Sequence, residues 1–183
     1  MDHLRLDCSP DFPFTVPPGL SSLNRLKSLS LAIASTGAML PPDYSHNLSC
    51  LQGLTLLEEL SVHSFSDDVF LPSSVTDLHK LSVLAFSVAP NEGGGEVPCV
   101  ILHVDWSALQ MLKSLSIDAP AFACGRSIVG PAAVKQLAHI SWGHSAPYDA
   151  DSTKGFAALI YTLAKYRPEV VLVLDKDAIE DVC

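Results

Sequence analysis

The stretch that decides the fold of this chain spans residues 71–86 and reads LPSSVTDLHKLSVLAF. Its apolar framework is Val75, Leu78, Leu81, Leu84 and Phe86, which are separated by three steps of three residues and a final step of two. A step of three is typical of a tight helical or extended turn, whereas a step of two is typical of a strand that buries one face. The stretch therefore predicts a turn-rich segment that leads into a strand.

The same framework recurs along the chain, which indicates a protein built from repeats. If the first apolar residue of each strand is taken as an anchor, the anchors are Leu4, Leu29, Leu60, Leu84, Leu115 and Ile140. Apolar residues also stand two positions after every anchor and three positions before it, and most units have others six and nine positions before it. Because one such unit cannot bury its own leucines, stacked units must share a continuous core. We therefore expect successive strands to lie side by side in one parallel sheet.

Most units also place an apolar residue before a proline ahead of the next turn-rich segment, at Val16-Pro17, Leu40-Pro41, Leu71-Pro72 and Val97-Pro98. With the framework above, these residues resemble the plant-type leucine-rich repeat family, whose pattern is L-P-x-x-L-x-x-L-x-x-L-x-x-L-x-L. The resemblance covers roughly residues 1–145 and is closest over residues 71–86. It implies an α/β solenoid with a curved parallel sheet on its concave face and short helices and loops on its convex face.

The chain departs from the family at the position three residues after the last strand residue, where the family usually has asparagine or cysteine. The residues found there are Ser9, Ala34, Phe65, Ala89, Pro120 and Ser145. An asparagine ladder, which would bond the buried turn backbone between repeats, is therefore missing. The backbone groups at these positions need other hydrogen-bond partners.

After residue 145 the pattern changes. Phe156, Leu159, Ile160 and Leu163 follow helical spacing, with Ser152 or Thr153 as the expected N-cap and Pro168 just beyond the end. Residues 170–174 then predict a strand that is apolar on both faces, as in a buried parallel strand. We expect one domain, residues 1–183, of about seven units: regular repeats over 1–145, then a helix, a terminal strand and an acidic tail over 146–183.

The N-terminal end has no predicted cap, since Met1 already stands at a core position of the framework. This suggests a fragment of a longer protein, a truncated gene model or an end covered by a partner, and the first two explanations are preferred.

Composition limits the partners and the compartment. The net charge is −9, with 20 acidic and 11 basic residues and no Lys/Arg cluster, so we expect no nucleic-acid partner. No apolar run approaches the roughly 18 residues that a membrane-spanning helix needs, and the first seven residues do not resemble a secretory signal. The five cysteines are widely scattered, which is typical of free thiols in a reducing cytoplasm. A cytoplasmic protein without membrane insertion, metal or other cofactor is the expectation.

The candidate site is the concave face, formed by the strand residues beside the buried pair. From the second to the sixth unit its middle position holds only small residues: Ser30, Ser61, Ala85, Ser116 and Ser141. The polar residues Glu59, His63, Asp118, His139 and His144 stand around them. The small residues either merely fit the inside of a curved sheet or form a surface on which a partner docks, and the two interpretations are compatible. The predicted partner-binding residues are Ser30, Glu59, Ser61, His63, Ser116, Asp118, His139, Ser141 and His144.

Catalytic and metal chemistry find little support in the sequence. His139 and His144 would be roughly 16 Å apart on an extended strand, too far to share one metal ion. No G-x-S-x-G elbow is present, and the glycines at 93–95 lack the Lys-Ser/Thr of a phosphate-binding loop.

The preferred hypothesis for function is therefore a non-catalytic protein–protein interaction scaffold that binds through the concave face. The alternative, implied by the resemblance, is the ligand-sensing fragment of a larger plant-type immune receptor or of a ubiquitin-ligase substrate adaptor. Either role would need a nucleotide-binding domain or an F-box upstream. A remote alternative is an enzyme, whose pocket would have to gather Asp118, His144 and a thiol such as Cys124.

Overall fold

The computed structural model describes residues 2–7, 19–34, 51, 53–65, 69–70, 75, 77–89, 99–101, 108–118, 121–123, 136–142, 146–147 and 150–174. The apolar–proline steps, the framework positions Trp106, Pro131 and Val134, and the acidic tail lie outside these residues. So does His144. The described strands are β1 (His3–Asp7), β2 (Ser28–Ala34), β3 (Glu59–Phe65), β4 (Val69–Phe70), β5 (Val83–Ala89), β6 (Cys99–Ile101), β7 (Ser114–Asp118), β8 (Ala121–Ala123), β9 (His139–Trp142), β10 (Ala146–Pro147) and β11 (Val171–Leu174). The described helices are a 3-10 helix (Leu20–Ser22) and α1 (Ala150–Tyr166).

Seven of the strands form one open parallel sheet in the order β1-β2-β3-β5-β7-β9-β11. The anchors are register partners from strand to strand, and Leu172 of β11 continues their row: Leu4, Leu29, Leu60, Leu84, Leu115, Ile140 and Leu172. The anchors of β2, β3, β5, β7 and β9 are at most 3% exposed, whereas those of the two edge strands are only partly buried. The predicted parallel sheet and its register are confirmed.

The steps of three residues are hydrogen-bonded turns. The amide N of Leu78 lies 3.0 Å from the carbonyl O of Val75, and the amide N of Leu81 lies 2.9 Å from the carbonyl O of Leu78. Equivalent bonds join framework leucines in the units that lead into β2, β3 and β7. Each bond spans three residues, as in a 3-10 helix, and therefore returns every third side chain to the same side. This geometry explains why Val75, Leu78 and Leu81 are all fully buried.

A row of shared carbonyl groups joins the units just before the strands. The carbonyl O of Lys27 accepts hydrogen bonds from the amides of Glu58 and Glu59, at 2.7 and 2.9 Å. The carbonyl groups of Asp2, Glu58, Ser82 and Lys113 accept two amides of the following unit in the same way. A carbonyl oxygen has two lone pairs, so this arrangement satisfies two amide donors with one acceptor. The row also fixes the positions of the residues that carry these carbonyls.

The backbone at the missing asparagine positions is satisfied differently in the middle of the sheet. Ala34, Phe65 and Ala89 are the last residues of β2, β3 and β5, and they are register partners of one another. These strands are seven residues long, against five in β1 and β7. The extra length lets strand pairing take the place that the family's asparagine side chains would fill.

A second parallel sheet has the strand order β10-β8-β6-β4, and each of its strands comes after a strand of the first sheet in the sequence. This sheet was not predicted. The resemblance implied short helices and loops outside the first sheet. These strands contain only two or three residues each, too few for an alternating pattern to be recognised. Pro147 lies in β10, an edge strand, where the missing donor costs least.

The C-terminal part agrees with the prediction except at two points. Helix α1 ends at Tyr166, before Pro168, but begins at Ala150, so Ser152 and Thr153 lie within its first turn and the N-cap prediction is wrong. Strand β11 pairs with β9 in register, as expected for a seventh unit. The expectation that this strand is buried on both faces is also wrong, since Val171 and Val173 are 55% and 46% exposed. Both valines stand in register with His139 and Ser141, on the face of the sheet whose described residues are exposed or half-buried in every strand, which explains their exposure.

Within the described residues, neither helix combines the length and the apolar character that a membrane span requires.

Candidate interaction surface

The outward face is defined here as the side chains of the seven-stranded sheet that alternate with the buried anchors. It forms because successive residues of a strand point to opposite sides. Its residues form three rows across the strands, which lie one position before, one position after and three positions after the anchors. The residues of these rows are His3, Arg5, Asp7, Ser28, Ser30, Ala32, Glu59, Ser61, His63, Val83, Ala85, Ser87, Ser114, Ser116, Asp118, His139, Ser141, Val171 and Val173. All of them are exposed or half-buried.

The predicted site residues that fall in the described part of the chain all lie on this face. His144 lies outside the described residues. The structure brings Ser30 next to Ser61, and Ser116 next to Ser141, as register partners on adjacent strands. It separates the acidic residues, because Glu59 begins β3 and Asp118 ends β7, two strands away. The predicted residues therefore form a distributed surface.

The middle row, one position after the anchors, has smaller side chains than the rows on either side of it. From β2 to β9 it reads Ser30, Ser61, Ala85, Ser116 and Ser141, with Arg5 at the β1 end and Val173 at the β11 end. A serine hydroxyl can both donate and accept a hydrogen bond. The row thus offers small polar groups along the middle of the sheet, between two larger side chains at its ends.

One row brings the three residue types of a hydrolytic triad onto adjacent strands. His63, Ser87 and Asp118 are successive register partners on β3, β5 and β7. A triad needs the imidazole between the hydroxyl and the carboxylate. Here the serine is in the middle, and the backbones of His63 and Asp118 are two strand spacings, roughly 10 Å, apart. This order does not form the His–Asp contact that a triad requires.

One pair of charged side chains on this face is in contact. On β1, the Arg5 Nε lies 2.8 Å from a carboxylate oxygen of Asp7, and both side chains are exposed. Such an exposed pair contributes about 1 kcal/mol or less to stability. Among the described residues, no group of three histidine, cysteine or acidic side chains could hold a metal ion.

At the end of helix α1, Arg167 donates a hydrogen bond from its Nε to the carboxylate of Glu169. This bond, together with one from the backbone, holds the pKa of the Glu169 carboxyl below its ordinary value. The pair lies in the turn that joins α1 to β11. It therefore stabilises this turn and is not part of the outward face.

Sequence reasoning missed the surface just before the strands. The rows four and two positions before the anchors include Lys80, Met111 and Lys113, all exposed. The signal was present, because the anchor register also aligns the positions that precede each strand. It was not recognised because the predicted site was restricted to the strand residues beside the buried pair.

No protein-family model matches this chain, and no curated protein was found to match it. The fold and the surface described above are therefore the basis for the function.

Proposed function

We propose that this chain is a non-catalytic interaction scaffold that binds a partner protein through the outward face. The observation that carries the proposal is the row of small residues from Ser30 to Ser141, held in register across five strands. Seven strands spaced at about 4.8 Å extend the face over roughly 29 Å. That extent suits a protein surface better than a small molecule, which is usually enclosed in a pocket.

The residue types support the same conclusion. Small side chains in the middle row let a partner approach the sheet closely, and their hydroxyl groups can pair with polar groups of either kind. The described part of the outward face lacks the tyrosine and tryptophan side chains that often anchor interfaces. We therefore expect the partner to supply the large side chains and this chain to supply the surface on which they rest.

The proposed class is a leucine-rich-repeat solenoid, with the outward face as its concave side. This class is supported by the turns of three residues, the following strand step of two, and the parallel register of the anchors. The cytoplasmic location and the absence of catalysis stay predictions of the same proposal. The order of His63, Ser87 and Asp118 favours a binding role over hydrolysis.

The test introduces large charged side chains in the middle row. The variant Ser61→Arg/Ser116→Arg keeps the buried anchors but fills the space that a partner would occupy. The matched control is Ala157→Arg/Ala164→Arg, which adds the same charge at two exposed positions of helix α1. Proteins recovered from a cell extract by each tagged variant would be compared quantitatively by mass spectrometry.

We expect specific partners to be recovered by the wild type and by the control, and to be lost with the middle-row variant. Circular dichroism would establish that both variants fold like the wild type. If the folded middle-row variant recovers every partner as well as the control does, the outward face is not the binding surface.

A further inference from the structure

A second surface, the strand-entry rim, lies at the edge of the sheet where the strands begin. We define it as the residues four and two positions before the anchors of β2, β3, β5 and β7: Arg25, Lys27, Leu56, Glu58, Lys80, Ser82, Met111 and Lys113. Four of these residues are basic and one is acidic, in a chain whose net charge is −9. The rim is thus a locally basic part of an acidic protein.

Only one of the basic residues is paired within the rim. The Nζ of Lys27 lies 3.5 Å from a carboxylate oxygen of Glu58, with both side chains about half exposed. This contact shows that the side chains two positions before successive anchors are neighbours. Lys113 occupies the same row, but its neighbours there are Ser82 and Ala138, to which the shared carbonyl groups connect it. The charge of Lys113 is therefore not compensated along its row.

Arg25 and Lys80 lie in the row four positions before the anchors, and both are exposed. Like Lys113, neither forms an ion pair with another described residue. Asp2 stands at the β1 end, Glu59 begins β3, and Asp77 lies one turn before Lys80, so acidic residues border the rim at these three points. Between β2 and β7, three basic groups thus remain available to an external anion.

The row that contains Arg25 and Lys80 alternates basic and apolar side chains. From the unit of β2 to that of β7 it reads Arg25, Leu56, Lys80 and Met111, and Met111 is 45% exposed. Basic residues two units apart are about 10 Å apart. This distance matches roughly three residues of a polyproline II chain, in which every third side chain lies on the same side. A ligand with an acidic group at every third residue and an apolar group between would meet both kinds of side chain.

We propose that the strand-entry rim binds an extended acidic peptide segment that also carries aliphatic side chains, as part of a partner protein. The peptide's carboxylates pair with Arg25, Lys80 and Lys113, and its aliphatic side chains contact Met111. A nucleic acid suits this surface less well, because its phosphates extend beyond the rim and meet the negative charge of the remaining protein. The charges of a short peptide lie within a Debye length of the rim, about 8 Å at physiological salt.

The test measures the affinity of a fluorescent peptide of repeating Glu-Leu-Ser triplets for the full chain by anisotropy at about 0.15 M salt. The variant Lys80→Gln/Lys113→Gln should bind it about tenfold more weakly, because two exposed ion pairs are lost. The matched control Lys154→Gln/Lys165→Gln, which changes two exposed lysines of helix α1, should alter the affinity by less than about twofold.

Two further measurements distinguish the contribution of charge to the peptide affinity from the contribution of apolar contact. A Gln-Leu-Ser peptide should bind the wild type at least as weakly as the Glu-Leu-Ser peptide binds the rim variant, because the variant still contains Arg25. The variant Met111→Ser should weaken binding of the Glu-Leu-Ser peptide more than binding of a Glu-Ser-Ser peptide.

The inference is overturned if the wild type does not bind the Glu-Leu-Ser peptide, or if the rim and control variants lose affinity equally. It is also overturned if an oligodeoxythymidine of equal charge binds the wild type as tightly as the peptide does. The inference does not rest on the outward face. Peptide affinity should not fall in the Ser61→Arg/Ser116→Arg variant, since the added positive charge can only favour an acidic peptide, so the two proposals can fail separately.

Discussion

At the scale of single residues, the anchors form the buried core, and the residues that alternate with them form the outward face. Leu84 is 0% exposed and has Leu60 and Leu115 as its register partners, so its side chain lies in the middle of the continuous core. Val173 is an aliphatic residue on the opposite side of the same sheet and is nearly half exposed. Leu84 and Val173 lie on opposite faces of the sheet and differ in burial. Substitutions at these two positions therefore test the register directly.

We predict that Leu84→Ala lowers the free energy of unfolding by about 2–5 kcal/mol, because it removes buried methyl groups and leaves a cavity. Val173→Ala should cost less than about 1 kcal/mol, since roughly half of that side chain already contacts water. Urea denaturation of both variants would measure the difference. Equal losses would mean that the assignment of the two faces is wrong.

Not every buried position follows the apolar pattern. Ser64 is 1% exposed and stands in register with Val88, four positions after the anchors. The sequence framework stopped two positions after each anchor and therefore did not include this row. A polar residue gives no periodic apolar signal, so its burial becomes visible only when strand β3 is seen to extend to Phe65.

At the scale of elements, the close stacking of neighbouring turns limits which side chains they can hold. Gly53 lies in the turn segment before β3, against the 3-10 helix of the preceding unit. A Cβ atom built on Gly53 would lie 2.5 Å from the carbonyl O of Ser21, which is closer than real side chains approach. Gly19, next to the same 3-10 helix, has no atom within 4 Å of such a Cβ. The two glycines are thus a matched pair for testing the contact between units.

We predict that Gly53→Ala destabilises the protein by about 1–3 kcal/mol, because a backbone carbonyl must move to make room for the new methyl group. Gly19→Ala should be neutral or stabilise the protein by up to about 1 kcal/mol, since its backbone is already in a conformation that alanine adopts. Thermal unfolding of both variants measures this. A Gly53→Ala variant as stable as Gly19→Ala would contradict the close approach of the two turns.

At the scale of the whole molecule, the open sheet makes stability depend on position in the stack. Each inner strand is paired on both sides, whereas β1 and β11 are each paired on one side among the described strands. Leu4, Leu6 and Leu172 in these edge strands are only partly buried, in contrast to the anchors of the inner strands. In stacked repeats each unit gains stability mainly from its neighbours.

We therefore expect amide hydrogen exchange to be slowest in β3 and β5 and to become faster toward β1 and β11. The exchange rates report local opening, which costs least where a unit has one neighbour. Mass spectrometry of peptides covering these strands would give the profile. Uniform protection along the stack would indicate that the molecule unfolds as a single cooperative unit.

The sequence by itself determined the repeat, the register of the anchors and the location of the last helix and strand. These features follow from the spacing of apolar residues, and spacing within a chain is local information that burial imposes directly. The same register placed every described candidate residue, from Ser30 to Ser141, on one face. The positions of the surface rows relative to the strands were therefore implied by the sequence as soon as the anchors were known.

Only the tertiary structure decided the second sheet, the strand pairing at Ala34, Phe65 and Ala89, and the environment of individual polar residues. These depend on contacts between units, such as the shared carbonyl of Lys27 or the approach of Gly53 to Ser21. Such contacts join residues far apart in sequence, so no local period reports them. The same reason applies to β11: its composition indicated burial on both faces, but the exposure of Val171 and Val173 depends on whether other elements cover that face of the sheet.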